Sequence, residues 1–322
     1  MSEKMRAMAV NKESVEMVEI PKPNPGTNEV RVKVISASVN PAEEKVISGG
    51  FVGRILHAKT SPLIVGWDFA GTVDEVGNGV SDLEKGTPVW GHLAFSNKTR
   101  QGSFSEYITL PRTELAVKPD NVPSHIAAAA ATISMTSLQS LRDIGGLQKD
   151  GKVLVIGAAG GVGSVAVGIA KRLGAHVTAV CSTKDVERVT ALGADLVIDR
   201  KKSNPLESES EYDLVFDTPA VHSFGSCAKT LKAKGTYVTT LPGPELISGM
   251  IKAIFSSKNC RFVAVVSKSA DLELVGEMLN DGMMVPIDSR HKIADLGVAL
   301  KRQTDPARSG RVVVDVADGW TE

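Results

Sequence analysis

From residue 5 to residue 115, apolar and polar positions alternate in short runs broken by Pro and Gly, as in Val30-Arg31-Val32-Lys33-Val34 and Gly71-Thr72-Val73-Asp74-Glu75-Val76. A period of two puts successive side chains on opposite faces, so this stretch predicts a β-rich, barrel-like domain. The pattern changes at 124. Ala127 to Ala131 and Thr136 to Arg142 predict one helix, stopped by Gly145-Gly146. After Lys152, short apolar runs alternate with helical patterns. Strands are expected at 153–157, 176–181, 196–199, 213–217, 236–241 and 261–266, with helices at 163–173 and 184–192. Strands this apolar are covered on both faces, which predicts a doubly wound parallel sheet of about six strands. Strand-like 310–316 is expected to return to the first domain. The predicted division is therefore 1–123, completed by 267–322, and 124–266.

Composition narrows the function classes. The 322 residues carry 37 Lys plus Arg against 37 Asp plus Glu, a balance that argues against nucleic acid or an anionic membrane as partner. The basic run Arg200-Lys201-Lys202 is followed by acidic residues at 207–211 and reads as a solvated loop. Cys181, Cys227 and Cys260 lie far apart with no Cys-x-x-Cys pair, so neither a disulfide framework nor a thiolate zinc site is expected. Residues 1–20 lack the apolar core of a signal peptide, and no apolar run is long enough to span a bilayer. A soluble cytoplasmic enzyme is expected.

The chemistry starts at Val153-Leu154-Val155-Ile156-Gly157-Ala158-Ala159-Gly160-Gly161-Val162-Gly163, an apolar strand running into a glycine turn that opens a helix. A pyrophosphate needs close backbone approach and free N–H groups at a helix N-terminus, and this order supplies both, although Ala159 and Gly160 blur the strict spacing. The end of the next predicted strand selects the nucleotide, because an acid there accepts from the ribose 2′-OH and repels a 2′-phosphate. The strand runs instead into Ser182-Thr183-Lys184, two hydroxyls and a cation, with Arg200 as a second cation after the following strand. NADPH is expected over NADH. The alternative for Lys184 is an ordinary solvated first-turn residue.

Several segments together resemble a zinc-independent quinone oxidoreductase, zeta-crystallin-like, of the medium-chain dehydrogenase/reductase superfamily. They are Val39-Asn40-Pro41, Gly66-Trp67-Asp68-Phe69-Ala70-Gly71, Met135-Thr136-Ser137-Leu138-Gln139-Ser140-Leu141, the 159–163 turn, Leu192-Gly193-Ala194-Asp195 and Val197-Ile198-Asp199. The resemblance implies an α/β fold with a GroES-like β-barrel catalytic domain, a Rossmann domain and a homodimer. It is similar to the chloroplast-envelope and alkenal-reducing branch, which has a comparable stretch from Leu241 to Pro244 and a Lys at the place of Lys45. Zinc-dependent members carry a Cys near Asn40 and Gly-His-Glu where Trp67 and Asp68 stand, and the four-Cys loop has no counterpart, so no metal is expected. His92 reads as a surface or loop histidine.

A carbonyl that no metal polarises must already be an activated acceptor, which points to a quinone or an α,β-unsaturated carbonyl. The resemblance implies that Asn40 donates to the acceptor oxygen and that Lys45 supplies a cation or proton; a turn role and simple solvation are the alternatives. It also implies cofactor contacts from Thr136, from Leu241, from Val265, Val266 and Ser267 at the end of the last strand, and from Gly310 and Arg311 to a phosphate. Trp67 and Phe69 are candidates for an acceptor wall, with core packing as the alternative. Competing activities are reduction of an alkenal or enone C=C bond, and a weakly catalytic NADPH-binding regulatory role.

Overall fold

The computed structural model describes residues 3–12 and 14–320, in two compact units. The first contains the chain through Thr132, Val266–Asn280 and the chain from Ile287 onward; the second contains Ile133–Val265 and Asp281–Pro286.

The first unit is organised by the strand Glu29–Val39, whose eleven residues pair antiparallel with three others: Asp68–Val76, Tyr107–Pro111 and Arg311–Asp315. Two register shifts, at Arg31/Val32 and Val34/Ser36, bend it enough to serve all three. Pro88–His92 continues the sheet beside Asp68–Val76, and Ile287–Lys292 lies parallel to Arg311–Asp315. Alternate residues Val30, Val32 and Val34 point into a core shared with Trp67, Phe69, Val89, Phe104 and Ile108, as the period of two requires. Trp67 and Phe69 are both fully buried there, Trp67 tilted against Phe95 at 5.1 Å, so they are core residues, not a pocket wall.

The second unit is a six-stranded parallel sheet in the order Leu196–Asp199, His176–Cys181, Lys152–Ile156, Tyr212–Asp217, Leu231–Thr239, Asn259–Phe262. Val153, Leu154, Val155, Leu214, Val215 and Phe216 are fully buried in its centre, which explains why these runs carry no polar alternation.

Several boundaries differ from expectation. The helix expected after residue 124 spans Ser124–Leu138 and then loosens into a π-helical turn at Gln139–Ile144, where Gly145 N–H reaches back to the Ser140 carbonyl at 2.9 Å. The helix after the glycine turn begins at Gly161, not at residue 163. The fifth strand ends at Thr239 and the sixth at Phe262, so Leu241, Val265, Val266 and Ser267 lie beyond the sheet.

Candidate cofactor and active site

The glycine turn is shaped by contacts that leave no room for side chains. Gly157 has φ +79°, and a Cβ there would sit 2.7 Å from both Pro219 and the Thr218 hydroxyl. A Cβ on Gly163 would lie 2.2 Å from the Gly157 carbonyl. Gly160 N–H closes the turn onto that same carbonyl at 2.9 Å, and the first helical bond is Ser164 N–H to Gly160 O. Gly160 caps the helix with no side chain. The N–H groups of Gly161, Val162 and Gly163 are therefore without a hydrogen-bond partner among the described residues, at the positive end of a twelve-residue helix. The residues fit a dinucleotide pyrophosphate.

At the end of His176–Cys181 the structure corrects the sequence reading. Two carboxylates lie there. Asp185 is folded back by a 3₁₀ turn, Thr183–Asp185, and Asp199 is brought beside Cys181 by the parallel register. The Ser182 hydroxyl donates to Asp185 at 3.0 Å, so it is not held free for a phosphate, whereas Thr183 is exposed. Lys184 and Arg200 are exposed, and neither side chain has a hydrogen-bond or ion-pair partner among the described residues. Arg188, which the sequence reading missed, reaches from the helix Val186–Ala191 to both Asp185 and the Ala159 carbonyl.

In the first unit, the segment identified at Trp67-Asp68 forms a buried polar cluster. Cross-strand register sets Ser38 opposite Asp68 and Val39 opposite Val312, which places Asn40 and Arg311 at adjacent strand ends. One Asp68 oxygen accepts from Ser38 Oγ at 2.7 Å, Asn40 Nδ2 at 3.0 Å and Arg311 Nη2 at 2.9 Å. The other accepts from the Thr132 N–H at 2.9 Å and from the Thr132 hydroxyl. Arg311 also donates to Asn40 Oδ1 at 2.9 Å, to Ser38 Oγ at 2.6 Å and, through Nε, to the Ala129 carbonyl at 3.2 Å. Its residue is 2% exposed. A guanidinium so enclosed is spent on Asp68 and does not reach out to a phosphate as expected.

Asn40 N–H donates to the Glu43 carboxyl at 2.7 Å. Glu43 is buried, and burial, helped by the nearby Asp68 charge, pushes its carboxyl up to about 8.

The remaining candidates separate. Lys45 is exposed on the helix Pro41–Ile47 while Asn40 is buried at its start, so the two side chains occupy different environments. Thr136 is buried in the Ser124–Leu138 helix. Val265 is half-buried, Val266 exposed, and the Ser267 hydroxyl accepts from His92 Nδ1 at 2.7 Å and donates to the His92 carbonyl at 2.8 Å. Gly310 is buried with φ +134°, its carbonyl taken by the Arg308 guanidinium. Leu241 is exposed.

His92 is fully buried, against the expectation of a surface residue, because it ends the strand Pro88–His92 and packs on Phe95 at 4.6 Å. Burial lowers its imidazole to about 4, which keeps the ring neutral. Among the described residues no three His, Cys, Asp or Glu side chains converge as a metal would need. Asp68 already receives five donors, and the donor set does not fit zinc.

Two family models match: the alcohol dehydrogenase GroES-like domain over residues 26–120, and the zinc-binding dehydrogenase model over 161–258. The chloroplast envelope quinone oxidoreductase homolog of Arabidopsis thaliana is 32% identical over 313 residues, covering 94% of each chain. The chain belongs to the quinone oxidoreductases of the medium-chain dehydrogenase/reductase superfamily. Two further relatives of this oxidoreductase are the bovine mitochondrial NAD(P)H oxidoreductase RTN4IP1 and the trans-enoyl reductase pgmF of Aspergillus terreus. The first is 34% identical, covering 81% of this chain and 74% of that one; the second is 29% identical, covering 93% and 89%. The quinone oxidoreductase structure from Coxiella burnetii superposes with a TM-score of 0.85 at 24% identity, covering 98% of this chain and all of that one, which shows a shared fold. The enzyme is thus an oxidoreductase with a nicotinamide cofactor.

Proposed function

We propose that this oxidoreductase uses NADPH to reduce a quinone. The observation that carries the reading is the Asp68 cluster: a buried guanidinium supplies the positive charge at the segment where zinc-dependent members of the superfamily place ligands. With no site for a Lewis acid there, the acceptor must take hydride readily by itself. NADPH, when bound, supplies that hydride. The 161–163 N–H groups hold the pyrophosphate, and exposed Lys184 and Arg200 draw the 2′-phosphate. Asn40, fixed by Asp68 and Arg311, keeps one amide hydrogen beyond its bond to Asp68 for an acceptor oxygen. Exposed Lys45, in a different environment from buried Asn40, places a cation at the surface by which the acceptor arrives. The helix pair Pro41–Ile47 and Phe51–Leu56 packs closely at Gly53, where a Cβ would lie 2.2 Å from the Lys45 carbonyl, and exposes Phe51, Val52 and Ile55. An apolar surface joined to a cation suits a flat, apolar carbonyl compound.

The name of the trans-enoyl reductase relative favours a second reading, reduction of an α,β-unsaturated C=C bond. NADPH oxidation with a panel of quinones and enals, followed by product analysis, separates them: hydroquinone supports the first and saturated aldehyde the second. No turnover across the panel overturns both and leaves a binding role.

We further propose a cytoplasmic homodimer. Among the described residues no helix is long and apolar enough to cross a membrane, and the three cysteines are free and buried. The helix Pro244–Ile254 leaves Ile247, Met250, Ile251, Ile254 and the following Phe255 in solvent, Phe255 at 86% exposure. It packs on Asn259–Phe262, the edge strand of the sheet. An apolar face of this kind, beside an open strand edge, suits a self-complementary contact.

A further inference from the structure

We propose that Arg188 sets which nicotinamide dinucleotide this chain accepts, by withdrawing the Asp185 carboxylate from the ribose end of the cofactor site. The inference rests on the NADPH reading above and adds a residue that neither the glycine motif nor the family resemblance singles out.

The strand His176–Cys181 points at the place where an acid would accept from a ribose 2′-OH. An acid is present four residues on. Asp185 N–H bonds the Ser182 carbonyl at 2.8 Å, which curls the chain back and buries the Asp185 side chain. One of its oxygens accepts from Ser182 Oγ at 3.0 Å and the other from Arg188 Nη2 at 2.9 Å. The second hydrogen of that nitrogen goes to the Ala159 carbonyl at 3.0 Å. A single NH₂ group therefore ties the turn after the second strand to the glycine turn after the first, the two turns that receive adenosine and pyrophosphate in this fold. Arg188 Nη1 is buried without a partner, so the guanidinium holds further donor capacity facing this corner.

The consequence is electrostatic. A free Asp185 would repel a 2′-phosphate and accept from a 2′-OH. Paired with Arg188 and hydrogen-bonded by Ser182, its charge is compensated and both oxygens are engaged. The other local carboxylate, Asp199, accepts from the Lys201 N–H at 2.9 Å through one oxygen, while its other oxygen, buried without a hydrogen-bond partner, has Lys202 at 3.9 Å. Across residues 182–188 and 199–202 the exposed charges are Lys184, Arg200, Lys201 and Lys202 against Glu187, a net positive surface. Losing Arg188 would leave Asp185 with no cation inside a partly buried turn, and the carboxylate would turn toward solvent and the ribose.

Calorimetric titration of NADPH and NADH against the full chain tests this without turnover. Arg188→Met is expected to lower the ratio of NADPH to NADH affinity by about tenfold, the effect of one unscreened charge near the phosphate. Asp185→Asn added to Arg188→Met restores the ratio, whereas Asp185→Asn alone leaves it near the wild-type value because the charge is already masked. Equal weakening of both nucleotides in Arg188→Met, or a shift that Asp185→Asn does not reverse, overturns the proposal. So does a large rise in NADPH preference in Asp185→Asn alone, a measurement that stands if Arg188→Met fails to fold. A wild type with no preference overturns the NADPH reading, while the change in ratio between variants still judges Arg188.

Discussion

Arg311 and Asp68 form an ion pair with essentially no access to water, and removing one partner strands the other charge. Arg311→Met is expected to lower unfolding stability by roughly 3–5 kcal/mol, read by urea denaturation, and Asp68→Asn in the same chain to recover part of that loss. Glu43 makes a pH-dependent counterpart. Its carboxyl is raised from 4.5 to about 8, so across that window the folded chain keeps a proton that the unfolded chain has released. Proton binding favours the folded state there, and stability falls as pH rises from about 4.5 to about 8. Glu43→Gln removes the titration, and its denaturation midpoint should change less with pH over the same range; an unchanged slope would place the proton elsewhere.

At the scale of elements, the turn from Lys152–Ile156 into Gly161–Arg172 depends on two backbones approaching too closely for a Cβ. Gly163→Ala would put a methyl 2.2 Å from the Gly157 carbonyl, forcing the turn open. Overpacking of this kind costs about 1–3 kcal/mol, so nucleotide affinity should drop about tenfold or more in a binding titration. Gly160→Ala, whose Cβ would meet that carbonyl at 3.3 Å, should be much milder. The turn was legible in the sequence because glycine requirements and strand-helix order are local. The helix interruption at Gln139–Ile144 was not, since a π-helical turn has no distinct periodicity over six residues. The strand end at Phe262 was missed for a related reason: apolar Val265 and Val266 continue the composition of the strand after its last bond to Leu231–Thr239, from Val263 N–H to the Thr239 carbonyl.

For the whole molecule, the exposed apolar helix face at Ile247, Ile251, Ile254 and Phe255 predicts the state of association. Ile251→Asp combined with Phe255→Asp should convert a dimer to a monomer in sedimentation equilibrium while leaving far-ultraviolet circular dichroism unchanged. A wild-type monomer would remove the dimer from the proposal without touching the cofactor reading.

The sequence by itself determined the two kinds of domain, the parallel sheet, the glycine turn and the family, because hydrophobic period and glycine spacing act over a few neighbouring residues. Tertiary structure alone decided how charges pair. Asp68 meets Arg311 across 243 positions of chain, His92 finds Ser267 across 175, and Asp185 is masked by an arginine that also grips Ala159. Ser182 and Arg311 had the right chemistry for a phosphate, and strand register and turn geometry spent them on carboxylates. A side chain's type fixes which partners it can accept; only the folded chain fixes which partner is within reach.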